Sequence, residues 1–95
     1  MLFEWDSTKA ESNYRKHGVT FEAATSVFDD PLRISTQDRF ENGQYRYQVI
    51  GMIDGYRIVL VAHTVNFGNS EEVIRLISAR KATSKERKYY DNGSF

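Results

Sequence analysis

Two β-rich runs, "YRYQVIGMI" from Tyr45 and "YRIVLVAHT" from Tyr56, flank an Asp54-Gly55 pair, and no other feature restricts the fold of this chain as strongly. Valine, isoleucine and tyrosine suit a pleated backbone, and Asp-Gly supplies the left-handed residues of a type I′ turn, so the segment predicts an antiparallel hairpin. With Asp54 and Gly55 alone as the loop, Ile53 faces Tyr56 and Arg46 faces His63. Alternation then puts Arg46, Gln48, Arg57 and His63 on one face, beside Ile50, Met52, Val59 and Val61. Tyr47, Val49, Ile58, Leu60 and Ala62 share the other face, which reads as core. The mixed face has room for a shallow site.

The remaining elements are read from caps and periodicity. "LFEW" is a short strand, Asp6 caps a helix over "STKAESNYRKH", and Gly18 closes it. Thr20 caps a second helix in which Phe21, Ala24, Val27 and Phe28 recur at helical spacing, ended by Asp29, Asp30 and Pro31. Leu32, Ile34 and Thr36 alternate as an edge strand before a polar loop, "QDRFENGQ". A second polar loop, "VNFGNSEE", leads to a last strand, "VIRLISA". Thr83 with Glu86 then spells a capping box for a helix ending near Gly93. The pattern predicts an α+β fold over residues 1–95 as a single domain. Two N-terminal helices pack on a mainly antiparallel sheet of four to five strands, followed by a short C-terminal helix.

Charge is balanced overall but not locally. Residues 1–45 carry eight acidic and five basic side chains, whereas residues 75–90 carry six basic side chains against Glu86 alone. A basic end on a neutral body suggests an aimed contact with phosphates or with an acidic partner. There is no cysteine, so neither disulfides nor zinc–thiolate chemistry enters. No apolar run approaches the ~20 residues of a membrane span, and "MLFEWDSTKAE" lacks the layout of a signal peptide. The expectation is a cytoplasmic protein without membrane contact.

His63 titrates near neutral pH and could serve as a base or acid; the alternative is a hydrogen-bonded histidine at a strand end. His17 reads as a cation complementing the end of a helix dipole. Arg80 offers a planar fork suited to a phosphate and Lys81 a mobile point charge, with an ion pair to Glu71, Glu72 or Glu86 as the plainer account of Arg80. Lys85, Arg87 and Lys88, interleaved with Tyr89 and Tyr90, fit a nucleic-acid backbone, or equally a solvated helix docked by its tyrosines. No Gly-rich phosphate loop, telling Ser/His/acid spacing or metal-binding cluster is present, so no metal and no cofactor are expected.

Taken in order, "FEWDSTKAESNYRKHGVTFEAATSVFDDP", "RYQVIG", "LVAHT" and "IRLISARKATSKERKYY" resemble the BrnT family of bacterial type II toxins. The resemblance covers nearly the whole chain. It implies a RelE-like fold, a metal-independent endoribonuclease that inhibits translation, and neutralisation by a BrnA-like ribbon-helix-helix antitoxin in a hetero-oligomer, which reaches operator DNA only through that complex. The family pattern falls here on Arg46, His63, Thr64, Arg80 and Lys81. It implies catalysis by Arg80, His63 and Arg46 and RNA binding by Lys81 and Thr64, and the basic final helix adds Lys85, Arg87 and Lys88 as RNA-binding residues. It also favours a pairing of the last strand that puts Ile74, Leu76, Ser78 and Arg80 on the face of Arg46 and His63. Relatives carry an arginine soon after the "HT" pair, whereas "VNFGNSEE" has no cation; where relatives tend to have a glutamate before the strand arginine, this chain has Gln44 and Tyr45. A binding module without chemistry, or a toxin that keeps only antitoxin binding, are the alternatives.

Overall fold

Side chains that satisfy free backbone amides set the helix boundaries. In a computed structural model describing residues 1–95, α1 spans Ser7–His17, and the Asp6 carboxylate accepts a hydrogen bond from the Lys9 amide at 2.9 Å. Gly18, at φ 71°, ends it. Thr20 opens α2, Phe21–Ala24, which tightens into a 3₁₀ turn over Thr25–Asp29. The last helix, α3, spans Ser84–Asn92 and has the expected capping box: the Thr83 hydroxyl accepts from the Glu86 amide while the Glu86 carboxylate accepts from the Thr83 amide.

Five strands form one sheet in the order β1-β5-β4-β3-β2, namely β1 Leu2–Glu4, β2 Ile34–Glu41, β3 Gln44–Ile53, β4 Arg57–Gly68 and β5 Glu71–Lys81. Only the β1–β5 pair is parallel. The α+β class is therefore as predicted, but both polar loops are corrected. "QDRFENGQ" is mostly strand, turned at Asn42 and Gly43 with φ of 54° and 77°. "VNFGNSEE" is likewise strand, turned at Asn69 and Ser70 with φ of 47° and 73°. Polar residues misled the reading because these strand ends are mostly exposed on both faces, so neither face need be apolar.

The hairpin register is corrected as well. Asp54 and Gly55 take left-handed φ values of 56° and 76°, but Tyr56 is left out of the ladder, so Ile53 faces Arg57. Every downstream partner moves by one: Arg46 opposes Thr64, and Tyr47 opposes His63. A shift of one residue exchanges the faces of a strand, so Arg46 and His63 lie on opposite sides of the sheet. A second irregularity lies in β5, where Ser78 opposes Ala62 but Leu76 opposes His63, leaving Ile77 as the extra residue. This bulge lets both Leu76 and Ala79 face the core.

The helices cover one face. Val49, Ile53, Val59, Val61, Ile74, Leu76 and Ala79 from the sheet meet Val19, Phe21, Ala24 and Val27 in the main core. Gly51 allows the 3₁₀ turn to sit directly on β3, since a methyl there would run into Val27. The expected core face is thus corrected for Ile58, Leu60 and Ala62, which lie on the other side. Leu60 is nonetheless buried there, opposite buried Ile50, on the face that α3 crosses to reach β3.

Asp30 fastens α3 down. Its carboxylate accepts from the Met52 amide at 2.8 Å, the Leu32 amide at 2.9 Å and the Tyr90 hydroxyl at 2.6 Å. Burial opposes the Asp30 charge, but the bonds from Tyr90, Met52 and Leu32, with the Arg33 charge, outweigh it and hold the carboxyl below its ordinary value. Burial, then the bond to Asp30 and the charges of Asp30 and Asp91, push the Tyr90 phenol up to about 12. The clasp is therefore complete below the ordinary phenol value of 10.0 and is lost as pH rises through about 12. On the acid side it is lost as pH falls through the lowered Asp30 value. Tyr90→Phe is expected to cost about 1 to 2 kcal/mol and to speed amide exchange in α3 while sparing β3 and β4.

Candidate active site

The face opposite α1 and α2 carries a row of cations drawn from several strands. Arg39 opposes Arg46, Arg46 opposes Thr64, Thr64 opposes Arg75, and Arg75 opposes Glu4, so one line of side chains crosses the whole sheet. Thr64 is buried between two arginines, and its hydroxyl has no hydrogen-bond partner. Arg39 and Arg46 approach Glu41 at 2.7 Å and 3.8 Å, and Arg75 approaches Glu4 at 3.8 Å.

Arg80 lies on the same face, opposite Leu60. That row is about 13 Å along β4 from the row of Thr64. Glu86 grips Arg80 in a bidentate pair, with Nη1 and Nη2 donating at 2.8 Å and 2.9 Å, and Nη1 also donates to the Lys81 carbonyl. The pair raises Arg80 above its ordinary value, chiefly through the hydrogen bond to Glu86, and lowers Glu86 chiefly through the bond from Arg80. Glu86 thus occupies the end of the guanidinium fork. The side edge, formed by Nε and the second Nη2 hydrogen, donates to nothing and still fits a phosphate.

His63 is not part of this face. Its ring is 4% exposed and sits at 5.0 Å, edge to face, from Phe28 and at 5.9 Å from Tyr47. Nδ1 lies 3.3 Å from the Val61 carbonyl. Burial lowers its pKa, against smaller raising effects from that carbonyl and Glu72, and the ring is neutral. This depressed value makes the ring's contribution to stability full above the ordinary 6.5 and lost as pH falls through the lowered value. A His63→Gln protein is expected to lose roughly 1 to 3 kcal/mol with retained RNA cleavage, and to lose that acid-side dependence in denaturation curves run at several pH values.

Lys81 leaves β5 on the side opposite to Arg80, facing Val59. It borders a cleft of about 310 Å³ at the end of the sheet, together with His17, Arg57, Tyr56 and Arg87, over a floor that includes Val59. Lys85 is exposed on α3, its ammonium 5.9 Å from the Tyr89 ring, and Lys88 is exposed nearby. The structure thus brings Arg46, Thr64 and Arg80 to one face and Lys81 and Arg87 to the cleft, and leaves His63 in the core. Sequence reasoning missed Arg75, whose place depends on the β5 bulge, and the grouping of His17, Tyr56 and Arg57, which only the tertiary fold creates.

A family model described as "Ribonuclease toxin, BrnT, of type II toxin-antitoxin system" matches residues 5–86. The chain belongs to the BrnT family. It is a ribonuclease toxin of a type II toxin-antitoxin system, with an antitoxin as partner. The crystal structure of the Brucella abortus ribonuclease toxin BrnT is similar to this fold, with 26% identity, a TM-score of 0.63, and coverage of 88% of this chain and 100% of that one. No curated protein matches the chain. No helix of this BrnT-family toxin is long and apolar enough to cross a membrane.

Proposed function

We propose that this toxin cuts RNA in the cytoplasm without a metal ion: the substrate 2′-hydroxyl attacks the adjacent phosphate, leaving a 2′,3′-cyclic phosphate and a 5′-hydroxyl. The observation that carries this reading is the end of β5, where Arg80 and Lys81 leave on opposite sides of the sheet, so a strand passing over it meets both. An ammonium suits the charge that builds on phosphorane oxygens on one side, and a charged fork suits a backbone phosphate on the other. Arg46 and Thr64 lie further along the Arg80 side. Lys85, Arg87 and Lys88 on α3 extend the basic track, contacts that position a backbone without reading its sequence. The antitoxin in this reading is a BrnA-like ribbon-helix-helix protein, and operator DNA is reached only through the complex.

The test is incubation of the purified toxin with RNA in excess EDTA, with both new ends mapped. Cyclic phosphate and 5′-hydroxyl ends formed in EDTA are the expected result. Cleavage abolished by EDTA and restored by a divalent ion overturns it. The second reading, a chain that only binds its antitoxin, draws on the Glu41, Glu4 and Glu86 partners of the open-face arginines. It gains if no RNA is cut while antitoxin binding persists.

A further inference from the structure

Cleavage through the 2′-hydroxyl needs a proton acceptor, and the chain has two imidazoles. His63 is sealed under Phe28 and Tyr47, on the side of the sheet opposite Arg46, Arg75 and Arg80. His17 is exposed, and α1 stops immediately after it because Gly18 turns left-handed, which leaves the ring at the rim of the cleft at the end of the sheet. No carboxylate lines that cleft. The charged and titratable groups around His17 are Lys81 of β5, Arg57 of β4 with Tyr56 just before it, Arg87 of α3, and Lys9 and Lys16 of its own helix. Arg57 is held by Asp54, but Lys81 and Arg87 enter none of the chain's ion pairs, unlike the open-face arginines. Free cations facing a common space form a site for an anion. At about 310 Å³ the space is at the small end of ligand pockets, enough for a phosphate and part of a nucleoside. Tyr56, 74% exposed at the mouth, offers a face on which a base can stack.

From this geometry we infer that His17 is the acid–base residue of RNA cleavage, acting on a phosphodiester held in the cleft by Lys81 and Arg87. The inference rests on the transphosphorylation reading above. His17 takes the proton of the 2′-hydroxyl as the bond from that oxygen to phosphorus forms. The bond from phosphorus to the 5′-oxygen breaks, and the leaving oxygen takes a proton from water at the open mouth. His17 then returns its proton to solvent. Lys81 and Arg87 neutralise the phosphorane oxygens, and no electron transfer or co-reactant is involved.

The experiment compares wild type, His17→Ala and the Lys81→Ala/Arg87→Ala double variant on a cleavable RNA and on the same RNA blocked by a 2′-deoxy substitution at the cut site. His17→Ala is expected to cut roughly a hundredfold more slowly or worse, to bind the blocked RNA within threefold of wild type, and to recover part of its rate when imidazole is added. The double variant is expected to bind the blocked RNA at least tenfold more weakly. Wild-type cleavage rates in His17→Ala overturn the role of His17 alone. Unchanged binding by the double variant overturns the cleft. A wild-type toxin that cuts RNA but leaves no cyclic phosphate overturns the transphosphorylation reading, and this inference with it.

Discussion

An Asn13→Ala toxin is expected to lose about 2 to 4 kcal/mol of folding stability, a large share of the ~5 to 15 kcal/mol typical of a small protein. The reason is a gap in the sheet. β1 ends opposite Arg75, so the outer edge of β5 beyond that point has no strand beside it. The Asn13 carboxamide takes the strand's place: Nδ2 donates to the Ala79 carbonyl at 2.8 Å, and Oδ1 accepts from the Ala79 amide at 3.1 Å. Nδ2 also donates to the Val19 carbonyl at 3.1 Å, tying the turn between α1 and α2 to the same point. Asn13 is 8% exposed, so truncation strands three backbone groups where water has little access. Urea denaturation of the two proteins measures the loss. Asn13→Asp is the sharper control, because it keeps the acceptor but turns a charged oxygen toward two carbonyls. Its stability should improve as pH falls and protonation returns a donor. An Asn13→Ala protein as stable as wild type would refute the account.

The elements of this fold were legible because each is signalled locally. Asp6, Thr20 and Thr83 cap helices, Gly18 and Gly93 end them, and Asp54-Gly55 turns a hairpin. The pairing of strands was not legible, because it depends on single residues that local rules do not fix. Tyr56 drops out of one ladder and Ile77 out of another, and each slip carries side chains to the other face. Chemistry follows the faces. Arg46 and Arg80 were correctly grouped, since both the hairpin and the β5 ladder shifted by one relative to expectation near that end. His63 was misgrouped because the slip at Tyr56 turns it to the other face, where Phe28, thirty-five positions earlier, packs on its ring. His17 was undervalued for the opposite reason. A cation at the end of a helix explains itself locally, and only the fold sets it beside Lys81 and Arg87.

Arg80→Ala is expected to weaken RNA binding, and cleavage with it, by roughly 10- to 100-fold, because Arg80 grips the RNA backbone on the open face while the cut phosphate lies in the cleft. A plain loss of activity would not assign the role, because Arg80 also holds Glu86, and Glu86 opens α3, the helix that carries Arg87 to the cleft. Glu86→Gln separates the two functions. The amide keeps an oxygen for the capping box but removes the charge that neutralises Arg80, so the guanidinium becomes a stronger partner for phosphate. If Arg80 grips RNA, Glu86→Gln should bind RNA more tightly and cut at least as fast as wild type, and the gain should vanish in the Arg80→Ala/Glu86→Gln double variant. If Arg80 serves only to anchor α3, Glu86→Gln should lose about as much activity as Arg80→Ala, and the double variant no more than either. The geometry favours the grip: Glu86 occupies the end of the fork, the Nε edge makes no hydrogen bond within the chain, and Arg80 shares its face of the sheet with Arg46 and Arg75.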